Sequence, residues 1–581
     1  MPPGLFRMVS RRDALLLLLG AAATQLFSAL FSPQTLTTSS IVINTHDNVH
    51  PASHYPANDN VPAFPDGVPD PLLSSPVVDK PASGDWPNTH EEEEPHLPEV
   101  ARTPETAVLA HAPGWTVFRD LYMANGTLFA VSSKPASEFP PARMMTSTGL
   151  PGFNTPENIA AREPTDAEFQ VISVAEARLR WGDGDVAERV SSVDGSTFLF
   201  NDPDQFLTHY YHFSAELLFG TQAFWTGAFS DPPPPTRAIF THASSTRWRD
   251  TPGFNAYVLR AAYPGIAVES VDDWEDRIAA TVPPSADIPA PHYADVHSGA
   301  PPSADPEIVY SEEKLLISGI RGARLHREAN AQERAWRFDN VLLVDRSAAH
   351  RGEICGSKTQ RTASESVEWM RAQKRIDEHG HWWDAVRERV VRFAGGNGDA
   401  KALASLGEQA PIVITYISRQ GSRRRLREAD HDLLVHELEA LVARKNAAAG
   451  SKGRQWELNI LEAQRMSKDE QVRAAARTTI LLGVHGNGLT HLLWMTPTPQ
   501  SAVIEMFIPT GVAHDYGWTT RDGLGRAYYA VWNDTYHDGA ETRKMGANYP
   551  DEFHGTNIPV YGPTVARLIE EHVAKTEVPR A

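Results

Sequence analysis

At 581 residues with 41% hydrophobic content, the chain exceeds one ordinary core, so two domains plus appendages is the expectation. A formal net charge of −19 argues against a nucleic-acid surface, because a phosphate backbone needs a basic footprint. The single cysteine, Cys355, excludes an internal disulfide framework and any cysteine-rich metal site.

Arg7, Arg11 and Arg12 precede an apolar run from Ala14 to Phe31. As a helix this run spans roughly 27 Å, near the minimum for a bilayer core. The basic flank comes first, which predicts a cytosolic N-terminus and a lumenal body: a single-pass type II protein of the Golgi or endoplasmic reticulum membrane. "GAAAT" leaves a cleaved signal peptide as the alternative, and both lead into the secretory pathway. Residues 1–31 are thus read as a cytosolic tail and signal-anchor helix. Residues 32–105 are rich in Pro, Ser, Thr, Asn and acids, including the Glu91–Glu94 run. They bury too little apolar surface to offset chain entropy and read as a disordered stalk.

Folded structure is expected from "GWTVFRDLYMANGTLFAV", two strands around the Asn125-Gly126 turn. "STFLFN" (196–201), "TRAIFTH" (236–242) and "GIAVESV" (265–271) read as strands, and 209–225 has helical spacing. Residues 106–335 form a first α/β domain in this reading, with a Pro-rich loop insertion at 283–306 that contains "PPSAD" twice. The second domain, 336–581, alternates more cleanly and ends in a tail. Strands are predicted at 339–345, 411–419, 456–461, 479–484 and 501–507, with helices at 382–394, 431–446, 468–477 and about 488–495. Ser467 and Glu470 make a capping box. Strands alternating with helices predict a doubly wound parallel sheet.

Ligands in such sheets sit beyond the carboxyl ends of the strands. There "LLGVHGNGLTHLLWM" (481–495) places His485, Gly486, Asn487 and Gly488 between strand and helix. Glycine lets a ligand approach the backbone, and a helix start offers free N–H groups to an anion. Strand 411–419 runs into Arg419 and Arg423–Arg425, whose guanidinium forks suit a diphosphate. Glu505 ends the following strand, where a carboxylate can accept from a ribose diol. Singly, these residues also fit a solvated basic loop, a structural histidine and an exposed strand end. Together at one sheet edge they point to a nucleoside diphosphate. Gly486-x-Gly488-x-x-His491 is also a dinucleotide fingerprint lacking its third glycine, which keeps a Rossmann-type oxidoreductase open.

"GVHGNGLTHLLWM…VIEMF" resembles the C-terminal signature of glycosyltransferase family 61, through His485, Gly486, Gly488, Leu489 and Glu505, with Asn487 in place of an alanine. "ISRQGSRRRL" resembles its upstream arginine-rich element at Arg419 and Arg424–Arg425–Leu426, although the asparagine that usually follows is absent. "YYHFSAELL" resembles its N-terminal element through Tyr210, His212 and Glu216, with Phe213 for a tryptophan. The resemblance implies a GT-B type fold, two Rossmann-like domains facing a cleft, with 336–581 holding the nucleotide sugar and 106–335 facing the acceptor. It also implies an inverting transfer from a UDP-sugar, xylose or GlcNAc above all, to a glycan or glycoprotein hydroxyl, with no obligatory metal or further cofactor.

Such a transfer needs a base for the acceptor hydroxyl and groups that hold the departing diphosphate. Arg419, Arg424, Arg425, His485, Gly486, Asn487, Gly488 and Glu505 are the expected donor-binding set. His212 and Glu216, four apart on one helix face, are the expected catalytic pair, Glu216 acting directly or by orienting His212. Asp183 and Asp185, like the acids of 268–277, read as exposed turns, not as metal ligands. A catalytically inactive lumenal glycan-binding protein on the same fold is the non-enzymatic alternative.

Overall fold

The computed structural model describes residues 103–153, 155–182, 189–282, 333–349, 362–396 and 410–577. The expected anchor, nearly all of the expected stalk, the 283–306 insertion, Asp183, Asp185 and Cys355 lie outside them. Among the described residues no helix is long and apolar enough to cross a membrane. The last residues assigned to the stalk are folded: the Pro104 carbonyl accepts from Tyr122 Oη at 2.8 Å, and Glu105 accepts from Ser133 N at 2.7 Å.

The first sheet is built on strands β1 (Ala107–Ala112), β2 (Trp115–Ala124), β3 (Thr127–Val131), β4 (Phe169–Ile172), β5 (Val190–Phe200), β6 (Arg237–Phe240), β7 (Ala267–Glu269) and β8 (Ala335–Val344). Their order is β4-β3-β2-β8-β5-β6-β7, with β1 also on β2. Asn125 and Gly126 both take positive φ, 50° and 80°, as a two-residue hairpin turn requires, so β3 returns antiparallel to β2. This makes the first sheet mixed: β5, β6, β7 and β8 are mutually parallel, while β2 runs against β1, β3 and β8. The first half is thus an α/β unit whose parallel β5–β8 group is extended by the hairpin expected around Asn125-Gly126. Strand 339–345, read with the second half, is the middle of this first sheet as β8, between β2 and β5.

The second sheet contains β9 (Ile412–Ile417), β10 (Trp456–Leu461), β11 (Ile480–Val484), β12 (Ala502–Phe507), β13 (Ala527–Trp532) and β14 (Thr535–Asp538), in the order β10-β9-β11-β12-β13-β14. All pairs are parallel except the final β13–β14 hairpin. The continuous apolar runs of β9, β11 and β12 are buried along their whole length, as strands covered on both faces must be. On one face Ile412, Ile414, Leu482 and Ile504 pack with Leu434 and Leu438 of helix Glu428–Ala449 and with Leu568 and Ile569 of helix Gly562–Glu577. That last helix and β13–β14 lie beyond residue 507, where the predicted strands end. On the other face Leu481, Val503 and Phe507 share a core with Val472 of helix Lys468–Arg477, and that core continues to Val117, Phe198 and Phe240 of the first sheet.

Helix Lys468–Arg477 opens with the expected Ser467–Glu470 capping box. Two other helices differ in kind from the expectation. Residues His212–Leu218 are a π-helix that continues as α-helix Phe219–Ala228, and Asn487–Trp494 is a 3-10 helix. Wide π turns often mark functional sites, and a second one, Trp518–Gly523, follows Asp515.

Candidate active site

Numbered from β9, the parallel strands run 2-1-3-4-5 across the second sheet, so the order reverses between β9 and β11. A crevice at the carboxyl ends of two such strands is where doubly wound sheets bind ligands. Arg419 follows β9 and His485 follows β11, so both stand at this point. Arg419 Nη1 donates to the His485 carbonyl at 3.0 Å, and Arg424 Nη1 donates to the same oxygen at 2.7 Å. Neither guanidinium has a carboxylate partner among the described residues, and Arg424 Nε is buried with no hydrogen bond. Burial lowers the pKa of both, and Arg419 adds to the effect on Arg424. Two unneutralised, half-buried cations at one point make a site that an anion would complete.

The glycines are required by this convergence. Gly486 takes φ 142° with ψ −179°, and a Cβ there would lie 1.7 Å from Arg419 Nη1. A Cβ on Gly488 would lie 2.8 Å from Ile417 Cγ2, so its absence seats the 3-10 helix on β9. His491, in place of the third glycine of a dinucleotide fingerprint, is buried against Tyr210 and Phe254, with Nε2 at 2.9 Å from Gln471 Oε1.

Three expected donor-binding residues have other contacts. Glu505 is fully buried: Oε1 lies 2.5 Å from His485 Nδ1, and Oε2 accepts from Tyr528 Oη at 2.6 Å. With both oxygens engaged it orients His485 and is not placed to receive a ribose diol. Asn487 Oδ1 accepts from Tyr211 N at 3.3 Å, which ties the loop to the turn before His212. Arg425 donates to the Ser422 carbonyl at 3.3 Å and does not join Arg419 and Arg424 at the His485 carbonyl.

Burial raises the Glu505 pKa to about 8 and lowers that of His485 to about 4. At neutral pH the pair is therefore uncharged overall and holds two protons. One lies in the Nδ1···Oε1 bond and Oε2 is an acceptor for Tyr528, so the other sits on His485 Nε2. That N–H is bonded to no protein atom among the described residues. The ring is held between Phe507, Tyr516 and Phe553.

His212 and Glu216 meet across the π-helix, Nδ1 to Oε2, at 3.0 Å. Glu216 is buried, whereas the His212 side chain is 30% exposed, so the imidazole is the member that can reach a substrate. Arg346, directly after Asp345 at the end of β8, locks the carboxylate from behind. It donates to Glu216 Oε2 at 3.1 Å, Asp202 Oδ2 at 2.7 Å and the His212 carbonyl at 2.8 Å. Burial works against charge on His212, and Glu216 more than offsets this, leaving its pKa raised. Of the two roles open to Glu216, orienting the histidine fits this geometry.

The two groups are joined through aromatic rings. Tyr211 packs edge-on against His212 and Tyr516, and Tyr516 packs edge-on against His485. Tyr210 Oη accepts from Trp494 Nε1 at 2.7 Å, and Tyr211 Oη lies 3.0 Å from Thr519 Oγ1. Sequence reasoning missed Asp202, Arg346, Asp515 and Tyr528. The only available signal was position, since Asp202 and Arg346 each stand two residues beyond the end of a strand, β5 and β8. The acids of 268–277 include Asp273, which caps helix Val271–Thr281 with Ser270.

A parallel sheet with a cationic, glycine-lined switch point defines a Rossmann-like α/β protein. The family model for glycosyltransferase 61 matches residues 337–504, from β8 into β12, and over that span the chain is similar to that family. That likeness supports a glycosyltransferase, a class of enzyme that takes a donor and an acceptor. The match takes in Arg419, Arg424 and His485 and ends before Glu505 and Asp515. Comparison with curated proteins gives no match.

Proposed function

We propose that this protein is a glycosyltransferase that moves a sugar, xylose or GlcNAc, from a UDP-sugar to a hydroxyl of a glycan or glycoprotein, with inversion at the anomeric carbon. The observation that carries this reading is the convergence of Arg419 and Arg424 on the His485 carbonyl at the switch point, with no carboxylate among the described residues to neutralise them. The diphosphate lies against these two guanidinium groups and accepts from His485 Nε2–H. Its negative charge grows as it leaves, so fixed donors there stabilise the transition state more than the ground state.

On the other side, His212 takes the acceptor proton. The hydroxyl oxygen forms its bond to the anomeric carbon from the face opposite the diphosphate. The bond from that carbon to the diphosphate oxygen breaks, and its electron pair leaves with UDP. Configuration inverts because entry and departure occur on opposite faces. Glu216, held by Arg346, keeps the imidazole in place and stabilises the imidazolium that forms. No step assigned to these residues calls for a divalent metal. The GT-B arrangement, with donor and acceptor sides facing a cleft, is part of the proposal, as is a type II Golgi or endoplasmic reticulum location drawn from the basic-flanked apolar run Ala14–Phe31.

Titration with UDP, followed by a transfer assay over a panel of UDP-sugars with and without chelator, tests the reading. Micromolar UDP binding and chelator-resistant transfer are expected. A protein that binds no UDP while binding NAD would overturn it in favour of an oxidoreductase.

A further inference from the structure

One carboxylate at this site has no role in the chemistry above. Asp515 leads into Tyr516, the residue packed edge-on against His485, and Tyr516 in turn meets Tyr211 beside His212. The turn is fixed: Thr519 Oγ1 donates to the Asp515 carbonyl at 3.0 Å and lies at 3.0 Å from Tyr211 Oη. The side chain acts electrostatically on His485 and on His212 alike. Its Oδ1 is nevertheless buried with no hydrogen bond from any described residue. A buried carboxylate oxygen without a donor is costly, so its retention calls for a partner outside the chain.

The place of that partner follows from the proposed function, on which this inference rests. With the diphosphate at Arg419, Arg424 and His485 and the acceptor hydroxyl at His212, the transferred sugar occupies the space between, beside Asp515. We propose that Asp515 binds the transferred monosaccharide, accepting hydrogen bonds from its ring hydroxyls, and so selects neutral sugars over uronic acids. An ionised carboxylate only accepts, which matches a hydroxyl donor and repels a second carboxylate. Burial raises the pKa of Asp515 to about 6, so it is largely ionised at neutral pH.

Calorimetry on the full chain and its Asp515→Asn and Asp515→Ala variants, with UDP, UDP-xylose, UDP-GlcNAc and UDP-glucuronate, tests this. UDP should bind all three proteins within about twofold. The neutral UDP-sugars should lose about tenfold or more in Asp515→Ala, a charged hydrogen bond's worth, and less in Asp515→Asn, which keeps one acceptor oxygen. UDP-glucuronate should bind the wild type no better than UDP does and gain in Asp515→Asn, a result that a merely structural aspartate would not give. If the neutral UDP-sugars lose no more than UDP in either variant, Asp515 does not touch the sugar, although the diphosphate site stands. If the wild type binds no UDP, the site reading and this inference fall together.

Discussion

Arg419 and Arg424 donate to a single oxygen, the His485 carbonyl, at 3.0 and 2.7 Å. Their other side-chain partners, Ser422 Oγ for Arg419 Nε at 3.3 Å and His554 Nδ1 for Arg424 Nη2, carry no negative charge, so the two cations repel each other and an anion placed against them would relieve that repulsion.

Replacing either arginine with alanine should therefore weaken UDP binding by roughly ten- to hundredfold, the range of a charge-assisted hydrogen bond. Arg424→Lys should recover little of this, because a point charge lacks the planar fork. Arg425→Ala should leave affinity near wild type. Titration calorimetry of the four proteins is the check, and equal losses at 424 and 425 would contradict the arrangement.

Gly486→Ala should also reduce UDP affinity, by about tenfold, through displacement of the Arg419 guanidinium. Folding should suffer as well, by ~1–3 kcal/mol, because alanine rarely adopts the backbone conformation at this position. Denaturant midpoints and UDP affinities measured side by side separate the two effects.

The His485–Glu505 pair predicts a particular pH dependence of stability. Glu505 is raised from 4.5 to about 8, so its contribution is full below pH 4.5 and declines as pH rises to 8. His485 is lowered from 6.5 to about 4, so its contribution is full above pH 6.5 and declines as pH falls to 4. Between 4.5 and 6.5 the two slopes cancel, leaving a loss of about 1.4 kcal/mol per pH unit between 6.5 and 8. Glu505→Gln, neutral throughout, should flatten that limb. Urea midpoints at pH 6.5 and 8 for both proteins decide it; parallel slopes would mean that Glu505 is ionised in the fold.

For Glu216→Gln the expectation is kinetic. A base must be neutral to act, so activity should rise with pH through the His212 pKa, which Glu216 holds up. The variant should lose roughly ten- to hundredfold in kcat, bind UDP normally, and show its acidic limb at lower pH. An unmoved limb would place the base elsewhere.

Much of the second sheet was legible in the sequence because its strands are continuous apolar runs separated by helical periodicity. The Asn125-Gly126 turn and the Ser467–Glu470 cap were legible for the same reason, since each is a local interaction with its partners a few residues away. The loop at His485 stood out because its glycines are useless except where backbone and ligand, or backbone and guanidinium, come close. What could not be read was partnership over long separations. Glu505 read as a strand end open to a ribose diol because Tyr528, its second partner, arrives 23 residues later on the neighbouring strand. Glu216 depends likewise on Arg346, 130 residues away. Asn487 sat among ligand-facing residues, yet its side chain binds the backbone of Tyr211, 276 positions earlier. Periodicity identified residues 339–345 as a strand and carried no information about which sheet would take it.

That misplaced strand bears on how the protein is made. β8 lies between β2 and β5, and without it the first sheet separates into a β1–β4 group and a β5–β7 group with no strand pairing between them. A ribosome must therefore deliver Val344 before the amino-terminal half can close, and at roughly 5–20 residues per second that half waits several seconds with two open edges. A nascent chain arrested before β8 is expected to recruit chaperones, whereas one arrested just after it has emerged should already resist protease.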